Sequence, residues 1–228
     1  DMKTKNILLT AICILQFTIC NLQFAISQTS IPAGNVSGTW TLAGSPYNIQ
    51  CDIQIPNDST LTIEPGVMVI FQGTYKLLVL GRLLAIGTVA DTITFTAANI
   101  TNGWRGIRFD NTSATNDTSK IIFCKLQYGK ATGSFPASYG GALYFNTFSK
   151  AIISYSRIAN CSANSDGGGI YCYGSNPSIT NNVIFNNAST GGGGIRCNNS
   201  SPNIFNNTIS NNTASSGGGI NYNNGSNP

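Results

Sequence analysis

Gly167-Gly168-Gly169-Ile170 returns as Gly192-Gly193-Gly194-Ile195 and again as Gly217-Gly218-Gly219-Ile220. The step from residue 170 to 195, and from 195 to 220, is 25 residues. Other residues keep the same beat. Pro177 answers Pro202, Ile179 answers Ile204, Ile184 answers Ile209, and Asn186-Asn187 answers Asn211-Asn212. A unit this short and this polar cannot bury a core alone, so successive units must stack into a solenoid. Within a unit, Ile170 and Cys172 alternate with Tyr171 and Tyr173, and Ile195 and Cys197 with Arg196 and Asn198. That period of two marks strands. Three strand signals fit each unit: Ile170 to Tyr173, the surroundings of Ile179, and those of Ile184. Glycine, Ser-Asn-Pro and Asn-Asn corners separate them. Three strands per turn coiling in parallel predict an all-β, right-handed parallel β-helix.

Outward from this stretch the pattern loosens. Gly140-Gly141-Ala142-Leu143 is an earlier version of the corner, 27 residues before Ile170, and Gly103-Trp104-Arg105-Gly106-Ile107 is an earlier one still. Polar loops, Asn111 to Ser119 and Lys130 to Tyr139, interrupt these early coils and place any elaborated surface in the first half. Leu61 to Ile63, Val67 to Phe71, Leu77 to Leu80, Leu83 to Ile86 and Ile93 to Phe95 read as further strands. Residues 28–60 are expected to cap the first coil, because an open solenoid end is a sticky edge, and 61–228 to form the β-helix. Asn160, Asn186 and Asn211, each two residues after an apolar strand position, are expected to form an asparagine ladder at a left-handed corner. The chain stops at Gly225-Ser226-Asn227-Pro228, mid-coil by this reading, which predicts a longer reading frame.

The chain has 228 residues with 12 Lys and Arg, 8 Asp and Glu, and no His, a formal net charge of +4. The basic residues form no run, and nothing supports nucleic-acid binding. Lys3 and Lys5 precede an apolar run from Ile7 to Ile19, and Ala25-Ile26-Ser27 supplies a cleavage site before Gln28. Residues 1–27 therefore read as a secretory signal peptide, the run being shorter than the roughly 20 residues of a membrane span. No second apolar segment predicts a span in the mature chain, and a monomer is expected. Of seven cysteines, Cys51, Cys124, Cys161, Cys172 and Cys197 follow the leader without a C-x-x-C, which argues against zinc. Cys172 and Cys197 share a column, either as stacked buried thiols or as a bridge between coils.

The Gly-Gly-Gly-Ile, Pro and Ile-x-Asn-Asn marks resemble right-handed parallel β-helix repeat proteins of secreted bacterial origin. They are also similar to polymorphic outer-membrane protein repeats, with Ile184 and Ile209 where those carry Phe. The stretch from Leu61-Thr62-Ile63-Glu64-Pro65-Gly66 through Gly103-Trp104-Arg105-Gly106-Ile107 resembles the opening coils of large surface proteins of Bacteroidetes-like bacteria. The resemblance implies a pectate-lyase-like fold and a location that is secreted, on the cell surface or at the outer membrane. That fold hosts lyases, hydrolases, adhesins and stalks alike.

With Ile170 inward, its neighbours build two outward columns: Arg108, Tyr144, Tyr171, Arg196, Asn221 and Asp110, Asn146, Tyr173, Asn198, Asn223. Arg108, Tyr144, Tyr171, Tyr173 and Arg196 are the candidate ligand contacts, with rings to stack on sugars and guanidinium groups to pair with uronate carboxylates. The same columns also fit a solvated β face with no ligand. The expectation is an exported, adhesin-like module that binds polysaccharide or a host or cell-surface glycan, or that acts as a structural spacer. The alternative is a polysaccharide lyase or glycoside hydrolase. It would need Asp110, Asp166 and Arg108 in one groove, since ordinary glycoside hydrolysis takes two carboxyl groups roughly 5 to 9.5 Å apart. No cofactor is expected, although calcium could assist β-elimination if enough oxygen ligands converged.

Overall fold

The computed structural model describes residues 28–228, so the leader expected at 1–27 lies outside the described residues. Strands are short, and nearly all are stacked in parallel in three long sheets of eight, eight and seven strands plus a fourth of four. Each coil visits the three long sheets in turn. One late coil runs Val183–Phe185 in the first sheet, Ile195–Asn198 in the second and Asn203–Phe205 in the third. The chain is a parallel β-helix solenoid. From Lys130–Ala131 onward a fourth short strand enters each coil between the first and second sheets, as at Ser162–Ala163, Ala188–Gly191 and Thr213–Ser216. Three strands per coil thus describes the early coils, and the late ones add a rung of small and β-branched residues that pair laterally. No helix among the described residues is long and apolar enough to cross a membrane.

The region expected to cap the first coil is itself coil. Thr29–Ile31, Gly34–Asn35 and Gly38–Trp40 pair in parallel with Tyr47–Ile49, Ile53–Ile55 and Thr60–Ile63 respectively. Irregular spacing hid these strands, since Gly34, Gly38 and Gly44 break the alternation.

Side chains of period two fill the interior as columns. Ile107, Leu143, Ile170, Ile195 and Ile220 lie in register along the second sheet, and the first four are fully buried. In the early coils the interior is aromatic: Trp104 stacks on Phe71 at 4.3 Å, and Phe109 on Phe145 at 4.8 Å. Cys172 sits directly under Cys197 in the same interior column, both as free thiols; burial pushes the Cys197 thiol up to about 12.

The triple glycine works in two ways. Gly167, Gly192 and Gly217 take φ of 69°, 65° and 64°, where a side chain is disfavoured. Gly168 and Gly193 then let rungs touch backbone to backbone, because a Cβ at either would lie 2.5 Å from the carbonyl oxygen of the glycine one coil on.

The other corners share one device. A residue with left-handed backbone turns the chain, and the next residue points a polar group inward. The left-handed residue is Asn181 or Asn206 between the third and first sheets, and Asn160, Asn186 or Asn211 after the first sheet. The residue after it accepts a hydrogen bond from the backbone N–H of the corresponding residue one coil earlier. Asn187 Oδ1 accepts from Cys161 N–H at 2.9 Å, and Asn212 Oδ1 from Asn187 N–H at 2.9 Å. Asn182 and Asn207 repeat this with Ser156 and Asn182 as donors, at 2.9 and 2.8 Å. Between the second and third sheets the acceptors are hydroxyls, Ser175, Ser200 and Ser226. The ladder is therefore one residue later than expected. Asn160, Asn186 and Asn211 supply the bend and point to solvent, while Cys161, Asn187 and Asn212 form the ladder.

This assignment predicts opposite outcomes for neighbouring asparagines. Asn187→Ala strands the Cys161 N–H and one acceptor site of the Ile158 carbonyl, to which Asn187 Nδ2 donates at 3.0 Å, and is expected to cost about 2–4 kcal/mol. Asn186→Gly keeps the left-handed bend and is expected to stay within about 1 kcal/mol of the parent. Urea unfolding of both variants decides; equal losses would contradict the assignment.

Candidate functional site

The two outward columns of the second sheet form as expected. Arg108, Tyr144, Tyr171, Arg196 and Asn221 align rung by rung, as do Asn146, Tyr173, Asn198 and Asn223. Asp110 continues the second column, its carboxylate accepting from Asn146 Nδ2 at 2.7 Å. They are not, however, one open strip. The segment 132–139 lies across them, and Arg108, Tyr144 and Tyr171 are buried at 5%, 0% and 2% exposure, although none belongs to the interior core. Tyr173, at 39%, stays open.

The strap is held by the residues it covers. Arg108 donates to the Tyr139 carbonyl at 3.0 Å and to the Pro136 carbonyl at 2.7 Å. Its guanidinium carbon lies 4.1 Å from the centre of the Tyr144 ring, a cation–π contact. Tyr144 stacks on Tyr171 at 5.7 Å, and Tyr139 of the strap packs on Tyr171 at 4.8 Å. Burial brings the Arg108 guanidinium down to about 10, partly offset by Tyr144 and Asp110, so it is charged at neutral pH. Burial also raises the Tyr144 phenol, and its buried hydroxyl has no hydrogen-bond partner among the described residues.

Beside the strap opens a cleft of about 600 Å³. Its floor is Leu78 and Leu80, which extend the two outward columns one coil back from Arg108 and Asp110. One wall is the strap, at Pro136 and Ala137; the other is the loop at Asn111 and Ser113. That loop is pinned by Asn116, whose Nδ2 donates to Asn57 Oδ1 at 3.0 Å and to the Leu80 carbonyl at 2.7 Å. Lys76, Arg105 and Arg108 bring three cations to the cleft against the single carboxylate of Asp110. Lys76 lies 3.6 Å from Asp52, both partly exposed. Arg105 forms no ion pair among the described residues, and its Nε is buried without a hydrogen-bond partner. An unpaired, partly desolvated guanidinium over an apolar floor suits an anion carried on a ring.

The remaining candidates lie elsewhere. Arg196 is paired across rungs: its Nε sits 3.6 Å from Asp166 Oδ2, and its terminal nitrogen bonds Asn221 Oδ1. Burial raises the Asp166 carboxyl, against the pull of Arg196. Asp166 lines a separate polar hollow with Arg196 and Asn221, so Asp110, Asp166 and Arg108 do not share one groove. The three residues that the enzyme alternative would need in one groove are apart, since two coils separate Asp110 from Asp166, about 10 Å along the solenoid axis at 4.8 Å per rung. Among the described residues no three His, Cys, Asp or Glu side chains cluster as metal ligands.

Sequence reasoning missed Lys76, Arg105 and Leu78. Arg105 carried a signal, since a charged side chain beside the Gly106-Ile107 corner does not enter an apolar interior unpaired. Leu78 carried none, because its step to Arg108 is 30 residues and not 25, and no paired-glycine corner marks its coil. No protein-family model, curated protein or solved structure matches the chain.

Removing the clasp should free the strap. In Arg108→Gln both carbonyls lose a charged donor, and chymotryptic cleavage of the Tyr139–Gly140 bond, whose carbonyl Arg108 holds at 3.0 Å, is expected to accelerate about tenfold or more. Timed digestion with mass spectrometry measures it; an unchanged rate would mean that the aromatic contacts alone hold the strap.

Proposed function

We propose that the chain is an exported β-helix module that binds an acidic polysaccharide in the cleft between the 111–118 loop and the strap. One observation carries this reading: Arg105 and Arg108 reach the cleft with no carboxylate paired to either among the described residues. A buried or half-buried cation without a counter-ion is costly, and a uronate carboxylate would neutralise it through two parallel hydrogen bonds. Leu78, Leu80 and Pro136 offer apolar surface to the faces of the sugar ring. Tyr173, open beyond the strap, extends the contact line along the solenoid. Binding rather than turnover is favoured because Asp110 is the single acidic group lining the cleft. Export follows from the leader reading of residues 1–27. A solenoid of this kind would hold the cleft away from the surface to which it is attached.

Isothermal titration with trigalacturonate, and with a neutral trisaccharide of the same length, tests the reading. The parent chain is expected to bind the acidic sugar alone, more weakly as salt rises. Arg105→Gln should lose about 10- to 100-fold in affinity, the equivalent of one charge-assisted pair. Equal affinity for both sugars, or no binding by the folded parent, would refute it and favour a plain spacer.

A further inference from the structure

The corner between the third and first sheets carries an anomaly that neither the fold nor the cleft uses. Its left-handed position holds Asn181 and Asn206 in the late coils, as the turn prefers, but Phe123 and Tyr155 in the two coils before them, at φ of 49° and 50°. A bulky aromatic in this region is a conformational outlier. Tyr128, the third such aromatic, at φ 60°, packs against the core and is explained by that contact. Phe123 and Tyr155 do not belong to the core. Their rings stack on each other at 5.1 Å and 19°, and Tyr155 is 55% exposed.

A second anomaly lies beside the first. On the outward face of the first sheet, Lys125 and Arg157 are direct neighbours on adjacent rungs. Both are exposed, and neither has an ion pair among the described residues. Like charges directly opposite each other destabilise a sheet. Arg157 is propped over the Phe185 ring at 4.3 Å. The aromatic pair and the two cations line one hollow of about 280 Å³, with Asn181 and Val183 at its far end. Two features that work against the fold therefore meet at one place, and such local conflicts mark functional sites.

We infer that this corner is a second saccharide site, in which Tyr155 stacks on a pyranose ring while Lys125 and Arg157 hold the acidic group of the same or the next sugar. The ring faces of Phe123 and Tyr155 are already closed on each other, so no base can slide between them, and a saccharide lies instead on the open outer surface of the pair. Thr94 and Met68 precede the cations in their column, and Val183 and Thr208 follow. The positive patch is thus two rungs long, about 5 Å. It fits one or two carboxylates and is too short to track a phosphate backbone. The site shares the acidic-glycan class proposed for the cleft, but rests on different residues and a different face.

The test is hydroxyl-radical footprinting of Tyr155, with and without polygalacturonate, in the parent and in Arg105→Gln, read by mass spectrometry. Tyr155 is expected to be protected at least threefold in both, so the corner can be judged even if the cleft reading fails. Protection absent from the parent would overturn the inference, as would protection by single-stranded oligonucleotide and not by the glycan. The double variant Phe123→Asn/Tyr155→Asn installs the residue that later coils carry. It should keep or raise the thermal midpoint while at least tenfold of the polygalacturonate affinity left in the Arg105→Gln background is lost. A lowered midpoint with affinity intact would show that the stack is structural, and overturn the proposal. Lys125→Gln/Arg157→Gln leaves the corner backbone untouched and must also lose the Tyr155 protection; protection that persists would equally overturn it.

Discussion

The later coils of this molecule depend on hydrogen bonds that their own residues cannot make. At each asparagine or serine corner, the backbone N–H that turns inward has no strand partner, and a buried N–H left alone costs about 1–3 kcal/mol. The next coil supplies the acceptor, from Asn187 and Asn212 at one corner, Asn182 and Asn207 at a second, and Ser175 and Ser200 at a third. The amides also reach back to carbonyls, Asn182 to Ile153 and Asn187 to Ile158. Such a coil is therefore complete only when another follows it. This explains why so polar a sequence, with 9% charged residues but very many asparagines, serines and threonines, folds around a narrow interior of isoleucine, leucine and aromatic rings.

The late coils were legible because their side chains repeat with their backbone. With 25 residues per turn, the inward column from Ile170 to Ile220 and the outward column beside it follow from counting, and the structure keeps that register. Counting alone could not tell which of two adjacent asparagines bends and which bonds, since Asn186-Asn187 and Asn211-Asn212 look alike in sequence. The residue after the left-handed one must point inward, and that rule separates them. The first coil, near Gly34 and Gly38, was illegible for the opposite reason: its strands are two or three residues long and carry too few apolar positions to show a period.

The site was half legible. The outward column was right in membership and wrong in exposure, because a non-repeating strap has no counterpart in other coils from which its path could be inferred. Its consequence is electrostatic. Arg108 keeps its charge under cover by donating to two carbonyls, which are neutral acceptors, and by facing the Tyr144 ring. Those contacts solvate the cation without cancelling it. Together with the unpaired Arg105, this leaves the cleft with a positive potential that its low-dielectric walls concentrate toward the opening.

The lateral bonding also sets what can change in this molecule. The regular coils present the same donors and acceptors on both flanks, so one 25-residue unit can be copied or lost between Ile170 and Ile220 with its bonding surfaces matched above and below. Each event would shift the far end by about 4.8 Å. The cleft, built on the irregular coils nearer the beginning, would be carried along unaltered. The length of the rod and the chemistry it presents are thus separately heritable.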